Sequence, residues 1–193
     1  MKTNKLFFSL LTLVAFLIVS CGETAKKEAA PEANTTEKTE GKGQSSVAAV
    51  EGETPNALQV AKSIADFSTL VAAIEAAGVE DAVVNVGPLT IFAPLNSAFD
   101  KLPEGTVETL VKPENKSKLA FILVNHVAPA NYPAKQLKKE AKKGRKLYMA
   151  SGKYLVVENK EDGIYVGGTK VLKTVQVSNG WIHVIDDVLV PVE

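Results

Sequence analysis

The stretch that decides the fold is TIFAPLNSAF, which runs from Thr90 to Phe99. Its apolar first half predicts a strand that places Phe92 in the core. Pro94 has no backbone N–H and is expected to end the strand pairing, and Asn96 is expected to cap a short helix. Phe99 then packs back against the core, so the stretch predicts a strand-to-helix corner.

A second informative stretch, SNGWIHVIDDVLVP, lies near the end of the chain at residues 178–191. Its Asn179-Gly180 dipeptide predicts a tight turn. In the strand that follows, alternation assigns the side chains to two faces: Trp181, His183 and Ile185 to one, and Ile182, Val184 and Asp186 to the other.

The rest of region 55–193 divides into a helical half and a strand-rich half. Apolar spacing predicts two helices within 56–75, with a cap at Asp66 or Ser68 and a stop at Gly78. A further helix is predicted over 114–127. The second half predicts five strands separated by glycine-containing turns, at 146–150, 154–158, 164–166, 170–177 and 181–190. This order of elements indicates one α+β domain.

Together the two stretches resemble the two sequence boxes of fasciclin domains, and they occur in the right order along the chain. The resemblance covers residues 55–191 and implies a wedge-shaped β-sandwich with helices packed along one edge. It also implies a non-catalytic adhesion or matrix-binding module. In animal members of this family, integrin contact involves a Tyr-His pair and an Asp-Ile pair. The matching positions here are Asn125-His126 and Thr174-Val175, so integrin binding is not expected.

The beginning of the chain predicts export and a lipid anchor. Lys2 and Lys5 precede an apolar run, which ends at Ser20-Cys21, so residues 1–20 are interpreted as a signal peptide. The residues before Cys21 resemble a bacterial lipobox, which implies that acyl chains on this cysteine hold the protein to a membrane. The predicted location is the bacterial envelope, most simply the outer membrane, with the leaflet left open.

Residues 21–54 are predicted to form the lipidated cysteine and a disordered tether, because they contain no aromatic residue and almost no large aliphatic one. Removal of residues 1–20 deletes two lysines and no acidic residue, which changes the balance of 22 basic and 22 acidic residues to a net charge of about −2. This balance does not indicate a nucleic-acid-binding protein.

Few residues of the chain offer catalytic or metal chemistry. His126 and His183 are the only histidines, and both are interpreted as core or edge imidazoles. No metal site is expected, because no ligand pair has the close helical spacing that such sites favour. Phosphate-loop, dinucleotide and serine-nucleophile fingerprints do not occur, so neither a cofactor nor catalysis is expected. A Ser178, His183, Asp186 triad can be written down, but its members would not converge.

Candidate binding residues remain on two segments. On the predicted helix that ends before Pro129, Asn125 and His126 occupy the position of the animal recognition pair, although His126 shares the face of the core residues. A lysine-rich stretch forms one basic stripe if it is helical, through Lys135, Lys138, Lys139 and Lys142. This stripe is either a solvated helix face or an anion-binding surface.

Two functions are therefore predicted. The first is a membrane-anchored, exported module that binds a glycan, a matrix component or another protein. The alternative is a periplasmic lipoprotein that binds a small ligand or maintains the envelope. The oligomeric state is left open.

Overall fold

A computed structural model describes residues 53–191. The predictions for the signal peptide, for Cys21 and for nearly all of the tether lie outside the described residues. Within 53–191, no single helix is long and apolar enough to cross a membrane; the one pair that meets the length and composition limits together is bent by 111°.

Seven α-helices are present in the described part of the chain: α1 (Ala57–Ser63), α2 (Ser68–Ala77), α3 (Glu80–Val84), α4 (Asn96–Phe99), α5 (Thr106–Leu110), α6 (Lys116–Val124) and α7 (Ala134–Lys142). Short 3-10 turns precede α2 and α6. Asn56 caps α1, since its side chain accepts a hydrogen bond from the Gln59 N–H at 2.9 Å and the Gln59 side chain accepts one from the Asn56 N–H at 2.8 Å. Gly78, with φ 65°, ends α2 as predicted.

Seven strands form one mixed sheet: β1 (Leu89–Pro94), β2 (Val127–Ala128), β3 (Lys146–Tyr148), β4 (Tyr154–Lys160), β5 (Gly163–Val166), β6 (Thr169–Val177) and β7 (Gly180–Ile185). Their order is β2-β1-β7-β6-β5-β4-β3, and only β1 and β7 pair in parallel. The Ala150 N–H, just after β3, donates to the Val127 carbonyl in β2 at 2.7 Å. The two edges of the sheet therefore approach each other, and the sheet is nearly closed.

Two apolar cores occupy the two faces of the sheet. One core lies between α1, α2, α6 and the centre of the sheet, and includes Ile182 and Val184 of β7. The other includes Leu137 of α7, Phe92 and Ile185. The predicted alternation along β7 is therefore confirmed for these residues.

The strand β1 ends at Pro94, as predicted, and Pro94 itself is still part of the parallel ladder, opposite Ile185. Two other local predictions require correction. The hairpin turn consists of Ser178 and Asn179, because Gly180 already pairs with Val177. The last strand ends at Ile185, well short of the predicted residue 190.

Asn96 also has a different role from the predicted one. Its side chain makes no bond to α4; instead its oxygen accepts a hydrogen bond from the Thr69 N–H at 3.0 Å, in the first turn of α2. The Asn96 amide also donates to the Ala65 carbonyl at 3.1 Å and to the Ser68 hydroxyl at 3.0 Å. The residue therefore joins the strand-to-helix corner to α2, and this long-range contact takes the place of a local cap.

Candidate binding cleft at the β6–β7 turn

An open cleft of about 670 Å³ lies where three loops meet at one end of the central strands. The loop between α3 and β1 contributes Val86 and Pro88, the loop between β2 and α7 contributes Asn131, and the β6–β7 hairpin contributes residues 176–181. Its volume falls within the range of roughly 300–1,000 Å³ that is usual for small-molecule sites. The cleft is therefore large enough for a small ligand, and the three loops supply the side chains that such a ligand would meet.

Asn179 fixes the hairpin to three neighbouring elements. Its side-chain oxygen accepts a hydrogen bond from the Ala57 N–H at 3.0 Å, and its amide donates to the Val83 carbonyl at 2.9 Å. Its own carbonyl accepts from the Leu89 N–H at 2.9 Å. The next residue must be Gly180, because a Cβ there would lie 1.8 Å from the Leu89 carbonyl oxygen. One wall of the cleft is consequently rigid.

The loop that carries Asn131 is held by the two sequence boxes. The buried Thr90 hydroxyl donates to the Ala130 carbonyl at 2.7 Å and accepts from the Tyr132 N–H at 2.9 Å. His183 Nε2 lies 2.7 Å from the Tyr132 carbonyl. Three hydrogen bonds within three residues therefore position Asn131 beside the hairpin.

His183 is a positioning residue in this structure. Because Nε2 faces a carbonyl, it carries the proton, and Nδ1 accepts from the Thr174 hydroxyl at 2.9 Å. Its ring is buried and stacks on Phe92, with centroids 5.4 Å apart. Burial lowers the pKa of His183 below its ordinary value, so the ring is neutral near pH 7.

The members of the hypothetical triad do not meet. Both nitrogens of His183 are occupied by Thr174 and Tyr132, and the Asp186 side chain accepts a hydrogen bond from the Lys170 N–H at 3.0 Å. Among residues 53–191, no group of three or more His, Cys, Asp or Glu side chains could hold a metal ion.

The side chains that face the cleft opening differ from this hydrogen-bonded framework. Trp181 is half-buried, and its direct partner across the hairpin is the exposed Gln176. Within the described part of the chain, no hydrogen bond engages the side chains of Trp181, Gln176 or Asn131, and none of them is a buried unsatisfied group. Their polar atoms are therefore open to a ligand.

The sequence reasoning missed these three residues as a binding set. Two signals were available: Trp181 is the only tryptophan of the chain, and the hairpin register places Gln176 opposite it. Asn131 lies 45 residues earlier than Gln176, and no sequence pattern connects the two.

Asn125 and His126, predicted as candidate binding residues, are buried, with 0% and 3% exposure. The Asn125 amide donates to the Leu189 carbonyl at 2.9 Å, and His126 Nε2 accepts from the Leu189 N–H at 2.9 Å. His126 Nδ1 therefore carries the proton and donates to the Ile122 carbonyl at 2.8 Å. This pair clamps the C-terminal segment onto α6, which agrees with the interpretation of His126 as a core imidazole, and a binding role for the pair stays a prediction.

The lysine-rich stretch is helical, as α7, and Lys135, Lys138, Lys139 and Lys142 are all exposed. Leu137 on the opposite side is fully buried in the second core. Within residues 53–191, no acidic group lies within salt-bridge distance of these four lysines, whereas the buried Glu140 pairs with Arg145 at 3.6 Å. The basic stripe thus exists as a surface, and it is separate from the residues that line the cleft.

The structure is therefore that of an α+β domain with an open cleft at one end of its central strands. The fasciclin domain family model matches residues 65–191, and the chain belongs to this family. Fasciclin domains are generally non-catalytic adhesion domains.

Three similar proteins illustrate the range of the family. Protein sll1483 of Synechocystis is 42% identical over 135 residues, which are 69% of this chain and 72% of that protein. The pig transforming growth factor-beta-induced protein ig-h3 is 35% identical over 138 residues, which are 69% of this chain but 19% of that protein. The immunogenic protein MPB70 of Mycobacterium bovis is 32% identical over 114 residues, covering 56% of this chain and 52% of that protein.

The fold also resembles a solved structure, a FAS1 domain pair from the insect cell adhesion molecule fasciclin I. The TM-score is 0.64 at 22% identity, over 72% of this chain and 52% of the solved one. This likeness confirms the predicted fold class.

Proposed function

We propose that this protein is an exported, lipid-anchored adhesion module, which binds a glycan, a matrix component or another protein and catalyses no reaction. The observation that carries the proposal is the cleft, in which a rigid framework presents side chains that have no partner within the described chain. Membership of a family of adhesion domains supports it. The lipobox-like sequence before Cys21 supplies the anchor, and the acyl chains would attach the protein to the envelope.

An adhesion assay on intact cells tests this function. Cells that express the full chain should adhere to matrix or glycan-coated surfaces more than cells that lack it, and protease treatment of intact cells should remove both the domain and the adhesion. Equal adhesion with and without the chain would contradict the proposal. If protease cuts the domain only after the envelope is opened, the domain is not displayed on the cell surface, and a direct role in cell adhesion is contradicted.

A second function, the binding of a small apolar ligand, is favoured by a groove between α5, α6 and the C-terminal segment. This groove has a volume of about 170 Å³ and is lined mainly by apolar side chains, among them Leu110, Leu119 and Val188. It is smaller than the roughly 300 Å³ at which small-molecule sites usually begin, so it ranks below the cleft. A rise in melting temperature on addition of short-chain fatty acids, abolished by Leu110→Trp, would support this second function; an unchanged melting temperature would contradict it.

A further inference from the structure

The residue types that line the cleft at the β6–β7 turn indicate what class of ligand it can bind. Its lining residues, which all lie within the described part of the chain, include no Asp, Glu, Lys or Arg. A charged ligand would lose its hydration there without gaining an ion pair, which is unfavourable. A ligand that is polar but uncharged therefore fits this cleft best.

The arrangement of the open side chains narrows the class of ligand further. Trp181 contributes a half-buried aromatic ring with one N–H donor, Gln176 lies opposite it across the hairpin, and Asn131 lines the same cleft. Each amide presents both donors and an acceptor, so it can pair with a hydroxyl group, which is itself donor and acceptor. A sugar ring combines an apolar C–H face with a rim of hydroxyl groups, and both parts find a counterpart here.

The sheet topology disfavours an extended peptide along β7, the strand that carries Trp181. A peptide that adds a strand needs an unpaired sheet edge. Here every residue of β7, from Gly180 to Ile185, is paired with β1 on one side and β6 on the other, so this strand has no unpaired edge.

We infer that the cleft binds a neutral pyranose unit of a glycan, with Trp181 stacking on the ring and Gln176 and Asn131 hydrogen-bonding its hydroxyl groups. This inference rests on the proposed adhesion function and names its ligand class. The site is pre-organised, because Thr90, His183 and Asn179 already hold both loops.

The single tryptophan makes the test direct. The full chain, kept in a detergent without a sugar headgroup, is titrated with maltose, cellobiose, lactose and diacetylchitobiose, and with galacturonic acid oligomers as acidic counterparts. At least one neutral sugar should change the Trp181 emission saturably, and the acidic oligomers should not. Gln176→Ala keeps the fluorophore and should weaken binding about tenfold or more, as truncation of a central contact does. Calorimetry should show a similar loss for Trp181→Ala.

Matched controls exist on β4, outside the cleft. Tyr154 is an exposed aromatic residue and Asn159 an exposed amide, so Tyr154→Ala and Asn159→Ala should bind sugar like the unaltered chain. The variants of Gln176, Tyr154 and Asn159 should unfold at about the same temperature as the unaltered chain, because these side chains are exposed. Trp181→Ala removes a half-buried side chain and should lower the melting temperature, so its binding is measured well below that temperature.

Failure of this inference is distinguishable from failure of the adhesion function. If no neutral sugar changes the emission, or if acidic oligomers bind instead, the inference is overturned. If the cells still adhere in that case and Trp181→Ala does not reduce adhesion, the adhesion function stands and its site lies elsewhere. If no adhesion depends on the chain at all, the proposed function itself is wrong.

Discussion

His126 should make the stability of this domain depend on pH in mildly acidic solution. The ring is buried, donates through Nδ1 to the Ile122 carbonyl and accepts through Nε2 from the Leu189 N–H. A proton added to Nε2 would face that N–H, and the charge would be enclosed in an apolar core. Desolvation is the main reason that the pKa of His126 falls from 6.5 to about 4, and the bond to Ile122 opposes the shift.

The direction and the magnitude of this pH dependence follow from the difference in proton binding between the folded and the unfolded chain. Between pH 6.5 and about 4, the unfolded chain binds a proton at His126 that the folded chain does not bind, so stability is full above this window and is lost as the pH falls through it. The difference between the two pKa values corresponds to about 3 kcal/mol of unfolding free energy at the acid end. His183, whose pKa is also lowered by burial, acts in the same direction.

Denaturant unfolding at several pH values between about 7.5 and 4.5 measures this effect. His126→Gln retains one donor and one acceptor but cannot titrate in this range, so its stability should depend less on pH. His126→Ala should cost on the order of 2 to 4 kcal/mol at neutral pH, because it leaves a cavity and two unpaired groups. His183→Gln is the matched control: it should remove only the part of the change in unfolding free energy with pH that comes from His183. A slope that is unchanged in His126→Gln would refute the buried, neutral imidazole.

Other variants test the framework and the anchor. Gly180→Ala should cost about 3 kcal/mol or more, since its Cβ would meet the main-chain carbonyl of β1, whereas Gly87→Ala, with nothing within 4 Å, should change stability by less than about 1 kcal/mol. Similar melting temperatures for the two variants would contradict this close approach. Asn96→Ala should lose about 1–2 kcal/mol with the cap of α2, and an unchanged melting temperature would show that the cap is dispensable. Cys21→Ala should move the protein from the membrane pellet to the soluble fraction, and continued retention would exclude this anchor. Deletion of residues 22–54 should leave the melting temperature unchanged; a fall of several degrees would mean that the segment packs on the domain.

The elements of this fold follow closely from local sequence signals. Helix spacing, Gly78 and the alternation along β7 depend on neighbours a few residues apart, and the sequence contains that information. The Gly167-Gly168 turn is also found where it was predicted, with φ angles of 58° and 84° that favour glycine. Elements of a few residues, such as α3, α5 and β2, escaped prediction because they are too short to show a period.

The errors occur where a side chain serves a distant element. Asn96 is of a residue type that commonly caps the helix next to it, but its side chain bonds to residues 27 to 31 positions earlier. Gly180 looks like half of a turn, yet its lack of a side chain is required by the approach of Leu89. In both cases the residue type was a correct signal of special geometry, and only the tertiary structure shows which partner requires it.

The cleft contains two kinds of residue: those that hold its shape and those that would contact a ligand. A sequence motif does not distinguish the two. Thr90, His183 and Asn179 belong to the two boxes, are bonded to the backbone of neighbouring loops, and set the shape of the cleft. Trp181 and Gln176 have open side chains and would contact the ligand. Substitution of the first group should reduce stability and binding together, whereas substitution of the exposed Gln176 should reduce binding alone. Because the boxes specify mostly the first group, they identify the fold, and the choice of ligand depends on the few exposed residues that this fold displays.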